Sequence, residues 1–104
     1  VRGLNWGAEA GHFAEYLFDL TEPLERPTLV IRYARARAGP SFFDLFLDGQ
    51  RIGHSPSLTF APTSGWGDSP SDFALASIAL PDLAAGQHTL RLVSLQAGNN
   101  TNID

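Results

Sequence analysis

The sequence predicts an all-β protein, an antiparallel β-sandwich, on three observations. Apolar residues recur at every second position through most of the chain. Clusters of Gly, Pro, Asn and Asp interrupt them about every eight to twelve residues, and no stretch carries a helical period. With 104 residues the chain forms one domain, large enough to bury roughly two thirds of its unfolded surface around a single core.

The elements follow in order. FAEYLFDL at 13–20 is a first strand, and TLVIRYA at 28–34 a second, with Leu29, Ile31 and Tyr33 on one face and Val30, Arg32 and Ala34 on the other. A third alternates Phe43, Leu45 and Leu47 with Phe42, Asp44, Phe46 and Asp48. Asp48-Gly49 then makes a tight hairpin, because glycine supplies the positive φ that such turns need. The return strand runs from Arg51 to Phe60. Pro56 inside it predicts an edge position or a bulge, since proline donates nothing to a ladder. A fifth strand covers 73–80 and a sixth 87–96, with Leu90 and Leu92 toward the core and Thr89 and Arg91 outward. Residues 102–104 open a seventh. Tyr16 and Tyr33 are expected to pack inside the sandwich, and Arg32 and Arg91 to be solvated or paired across strands.

Composition limits the partners. Hydrophobic residues make up 43% of the chain and charged ones 17%. No apolar run approaches the roughly 20 residues that span a bilayer, so a membrane is not the expected partner. The net charge is −4 and all seven basic residues are scattered arginines, which argues against nucleic acid, whose binders collect Lys and Arg on one face. The absence of cysteine removes disulfides, thiolate metal sites and cysteine nucleophiles. A chain that starts at Val1 without a signal-peptide pattern reads as a processed or excised module.

Antiparallel connections reverse direction at each loop, so alternate loops gather at one end of a sandwich. The segments 1–12, 37–41, 61–72 and 97–101 share one end, and 21–27, 48–50 and 81–86 the other. Both tryptophans, Trp6 and Trp66, and all four asparagines, Asn5, Asn99, Asn100 and Asn102, fall at or beside the first end. Flat apolar rings beside amide donors and acceptors are what a neutral polyhydroxylated ligand requires: its CH faces stack on a ring and its hydroxyls need partners of both polarities.

Five short motifs carry a resemblance. Ile31-Arg32-Tyr33-Ala34, LDGQRI at 47–52, FAPTSGW at 60–66, LAAGQHTLRL at 83–92 and Asn102-Ile103-Asp104 stand in the order found in carbohydrate-binding modules of the family 6 and family 35 type. The resemblance covers roughly residues 13–104 and implies a galactose-binding-like jelly-roll sandwich. It implies a non-catalytic, lectin-like module that is attached to a secreted, bacterial polysaccharide-degrading enzyme and binds an oligo- or polysaccharide. By the same resemblance Trp66 is the aromatic platform, Asn102 a hydrogen-bonding ligand residue and Trp6 a second aromatic wall, with Asn100 nearby. It further implies a structural calcium, held by acidic residues of an opening strand and by an aspartate matching Asp104. The sequence departs from the pattern in three places: the acidic opening strand is absent, the final strand is not completed past Asp104, and a second Trp three residues after the first is replaced by Ser69. The single domain 1–104 is thus expected to lack its first and last strands.

Blander roles stand beside these. Trp66 as a core cap, Asn102, Asn99 and Asn100 as turn residues, and Asp68 and Asp72 as loop solubilisers or turn formers all fit the same sequence. Asn99-Asn100-Thr101 is a glycosylation sequon. His12, His54 and His88 lack metal-site spacing. No carboxylate pair sits in apolar sequence of the kind glycosidases use, and no nucleophile elbow, zinc-protease motif or phosphate loop occurs. Catalysis is not expected. The rival reading is a structural accessory sandwich that packs against a catalytic domain without binding sugar.

Overall fold

A computed structural model of the chain describes residues 7–103. Among the described residues eight strands form two antiparallel sheets: β1 Phe13–Leu20, β2 Thr28–Ala34, β3 Ser41–Leu47, β4 Gln50–Arg51, β5 Leu58–Phe60, β6 Ala74–Ala79, β7 Gly86–Ser94 and β8 Asn102–Ile103. One sheet runs β1-β7-β3, with β4 and β5 both on the far side of β3, and the other runs β6-β2-β8. Successive strands cross repeatedly between the sheets, which is the jelly-roll arrangement expected. A 3₁₀ turn, Pro70–Asp72, interrupts the long loop before β6.

The alternating pattern places the core. Tyr33, Phe43, Leu45, Leu47, Leu58, Phe60, Leu80, Leu83, Leu92 and Ile103 are buried between the sheets. Phe60 is central: its ring centroid lies 4.6 Å from that of Tyr33 and 5.3 Å from that of Phe43, the latter edge-on. The Tyr33 hydroxyl donates to the Ala61 carbonyl at 2.9 Å, so the one polar atom of this cluster is satisfied at the rim. Burial raises the Tyr33 pKa, so the group stays protonated.

The hairpin forms as expected: Asp48 and Gly49 take φ of +50° and +85°, the paired positive values of a two-residue I′ turn, and Leu47 faces Gln50 across it. The return strand breaks where Pro56 lies. β4 and β5 pair with β3 at either end of a six-residue excursion, 52–57, and Asp44 accepts there from the Ser57 N–H at 3.3 Å and from Ser55 Oγ at 3.0 Å. Arg91 sits outward opposite Glu15, its Nε and Nη2 donating to Glu15 Oε2 at 2.9 and 2.7 Å. Tyr16 departs from expectation and is 41% exposed. It lies on the edge strand of the wider sheet, where the three-stranded sheet opposite leaves its face open.

Hydrogen bonds also divide the loops as counting direction requires. At one end Leu24 and Leu83 exchange both backbone bonds at 2.9 Å, and the Arg26 N–H donates to Asp82 at 2.8 Å. At the other, Ser94 Oγ donates to the Gly7 carbonyl at 3.0 Å and the Gly98 N–H to Ala8 at 2.8 Å.

Candidate functional site

The loop end that gathers the asparagines is built around two buried polar side chains. Arg35, just past β2, is 2% exposed. Its Nε donates to the Gly39 carbonyl at 3.0 Å, and its Nη1 to the carbonyls of Gly98 and Asn100 at 3.0 and 2.6 Å. Its backbone exchanges two bonds with Thr63: its N–H reaches Oγ1 at 2.8 Å, and its carbonyl accepts the Thr63 N–H at 2.6 Å. One residue thereby ties three loops together. Burial and the nearby Arg37 charge lower its pKa, yet a guanidinium stays protonated in proteins. Among the described residues no carboxylate pairs with it, so backbone dipoles solvate the charge.

Asn99, fully buried, extends the sheet with its side chain. Its Nδ2 donates to the Phe42 carbonyl at 2.5 Å and to Ser94 Oγ at 3.3 Å, and its Oδ1 accepts the Phe42 N–H at 3.2 Å. The Ser41 and Thr101 hydroxyls meet at 2.9 Å beside it. Asn99 is therefore not the turn residue weighed from sequence but a buried side chain that pairs with the Phe42 backbone, and the sequon is sealed: its amide nitrogen is out of reach on the folded protein.

On this base stands the loop 61–73. Trp66 is half-buried at its middle, and its carbonyl accepts from Asn102 Nδ2 at 2.7 Å. Asn102 lies opposite Ala34 in the β2–β8 pair and is itself 8% exposed. Asn100, two residues earlier, accepts from Arg35 Nη1 at its carbonyl and from Arg37 Nη1 at its Oδ1, the latter at 3.3 Å. Three of the residues read from sequence, Trp66, Asn100 and Asn102, therefore meet at one end. Trp6 and Asp104 lie outside the described residues. Among the described residues no group of three or more His, Asp or Glu side chains converges, so they do not by themselves make a calcium cage.

Two further residues shape this end, of which the sequence reading missed Arg35 and gave Asp72 only as a loop solubiliser or turn former. Arg35 reads there as one scattered arginine, with nothing to mark it. Asp72 did carry a signal: Ser69-Pro70-Ser71-Asp72 is the Ser-x-x-Asp pattern of a helix start, with proline in the first turn. The Asp72 carboxylate accepts the Ser69 N–H at 3.2 Å while the Asp72 N–H donates to the Ser69 carbonyl at 2.9 Å. The turn-forming role is the one it fills.

The opposite end holds a different cluster. His88 Nδ1 lies 2.7 Å from Asp48 Oδ2, and its Nε2 lies 2.7 Å from the Ala84 carbonyl oxygen. Both neighbours are acceptors, so the geometry suits an imidazolium donating from each nitrogen. The Ala84 and Asp48 bonds accordingly raise the His88 pKa, and the His88 bond lowers that of Asp48.

No family model and no curated protein matches the sequence closely. Solved structures do match. A family 35 carbohydrate-binding module from Clostridium thermocellum has a TM-score of 0.75 with this chain, covering 95% of it and 72% of that module at 21% identity. A module of the same family from Cellvibrio japonicus gives 0.68, with 98% and 73% coverage at 21% identity. A cycloisomaltooligosaccharide glucanotransferase from a Paenibacillus species, complexed with cycloisomaltoheptaose, gives 0.69 over 93% of this chain and 13% of that enzyme, at 20% identity. Strand order, the paired sheets and these superpositions agree: the chain has the β-sandwich fold of the family 35 carbohydrate-binding modules.

Proposed function

We propose that the protein is a non-catalytic carbohydrate-binding module whose loop end takes an oligo- or polysaccharide. The observation that carries this reading is the bond from Asn102 Nδ2 to the Trp66 backbone carbonyl, 2.7 Å, which ties the loop that bears the indole to a side-chain amide at the loop end of a fold shared with known carbohydrate-binding modules. In this reading a pyranose ring stacks on Trp66, and hydroxyls meet the amide groups left over, Asn102 Oδ1 and Asn100 Nδ2, neither of which has a partner among the described residues. Each such contact is worth about 1–3 kcal/mol, which gives micromolar to millimolar affinity. Trp6 forms a facing wall, and Asp104 contributes to a structural calcium. The module acts in the extracellular space, holding an attached enzyme to its polymer. Screening the protein on a glycan array with calcium and with chelator tests both parts: selective, saturable binding is expected, and silence from a folded protein in both conditions contradicts the reading.

One observation favours the structural alternative. Val30 and Leu75 are exposed by 54% and 69% on the outer face of the three-stranded sheet, an apolar pair suited to packing against another domain. That role leaves the loop end free and is compatible with sugar binding there.

A further inference from the structure

Trp66 stands between two glycines, and the structure explains both. A methyl group on Gly65 would overlap the Asp72 carboxyl group. Gly67 has φ of +110°, and a Cβ there would come within 2.9 Å of Phe73 Cζ. Phe73 is itself fixed, with the Arg32 guanidinium 3.7 Å above its ring centroid. The loop is therefore wound closely around one carboxylate and one ring.

The Asp72 carboxylate collects the loop's loose donors. Oδ2 accepts the N–H of Gly67 and of Ser69, each at 3.2 Å, and Oδ1 accepts from Ser64 Oγ at 3.4 Å. The Gly67 N–H belongs to the same peptide plane as the Trp66 carbonyl, and that carbonyl is taken by Asn102 Nδ2 at 2.7 Å. One peptide group, Trp66–Gly67, is thus gripped from both edges by side chains that lie 30 residues apart in sequence. A planar peptide held at both its donor and its acceptor has no freedom to flip.

We infer that Asp72 and Asn102 are positioning residues that lock the Trp66–Gly67 peptide, so that the indole is set before a ligand arrives. The inference rests on the sugar-binding reading above and deepens it. Weak binders gain most from preorganisation, because ordering a loop on binding subtracts directly from a small affinity. The lock also assigns Asn102 a double task, its Nδ2 spent on the loop and its Oδ1 left without a partner among the described residues.

Gly67 amide hydrogen exchange in the 104-residue protein reads the lock without any ligand. Electrophoresis through gels loaded with xylan, galactomannan, pectin or dextran reads binding. Asp72→Ala removes the acceptor, and Gly65→Ala displaces it without removing a polar group. Both are expected to speed Gly67 exchange by about tenfold or more. Both are also expected to weaken retention by about threefold to tenfold on any polymer that retards the wild type, with the sandwich still melting cooperatively. Asp72→Asn, which keeps one oxygen, should fall between. Unchanged Gly67 exchange in both alanine variants overturns the lock. Fast exchange with full retention overturns its role in positioning. If Trp66→Ala is retained like the wild type, it is the sugar-binding reading that fails, and Gly67 exchange still reports whether the peptide is held.

Discussion

Asn102 donates its side-chain amide to the backbone carbonyl of Trp66 over 2.7 Å, although Asn102 lies in β8 and Trp66 in the loop before β6, 36 positions apart in sequence. The bond makes Asn102, itself largely buried, a support of the aromatic loop. Asn102→Asp tests this support, because it keeps the shape and the Oδ1 position but sets a second acceptor against the Trp66 carbonyl. The expected result is a loss of glycan affinity of about tenfold or more, with stability reduced by about 1–3 kcal/mol. Parallel titration calorimetry and urea unfolding check it.

Arg35 predicts a larger structural effect. Replacing it by Met keeps much of the aliphatic volume but leaves the carbonyls of Gly39, Gly98 and Asn100 without their donor. Each buried carbonyl left unpaired costs about 1–3 kcal/mol, so a total loss of about 3 kcal/mol or more is expected in chemical denaturation. Arg35→Lys restores charge but not the fork, and should recover only part of it.

The His88–Asp48 pair predicts a pH dependence at the far end. The folded pKa of His88 is raised above its ordinary 6.5 by the Ala84 and Asp48 bonds. Its contribution to stability is therefore fully present below pH 6.5 and is lost as pH rises through the higher folded value. Asp48, lowered from 3.8, contributes above that value and is lost as pH falls through its lower folded value. Melting temperature measured from pH 5 to 9 should decline on the alkaline side in the wild type. In His88→Gln that decline should be flattened, while the loop end keeps its ligand affinity.

The fold was legible because it depends on period and turn chemistry. Phe43, Leu45 and Leu47 alternate as a half-buried strand must, and β1 and β2 fall on the residues that alternation marks. Asp48-Gly49 and Pro56 each act through their own backbone limits, which is local information. Tyr16 misled because its burial depends on how far the second sheet reaches, and strand period says nothing of that width. The loop end was legible only as a collection of Trp and Asn. What organises it, Arg35 on the carbonyls of Gly98 and Asn100 and Asp72 on the Gly67 N–H, joins side chains to backbone atoms outside their own turn. Such bonds leave no trace in residue type or spacing. The Ser69-to-Asp72 pattern is the exception, since it acts within one turn.

The central claim is that Trp66 carries ligand recognition. The most direct test places the wild type and Trp66→Ala side by side on one glycan array, after matched thermal melts show both folded. The account predicts that every glycan held by the wild type is lost or weakened by at least about tenfold in the variant, the contribution of one stacked ring. A folded Trp66→Ala protein that binds the same glycans with unchanged strength would contradict it and move recognition away from this loop.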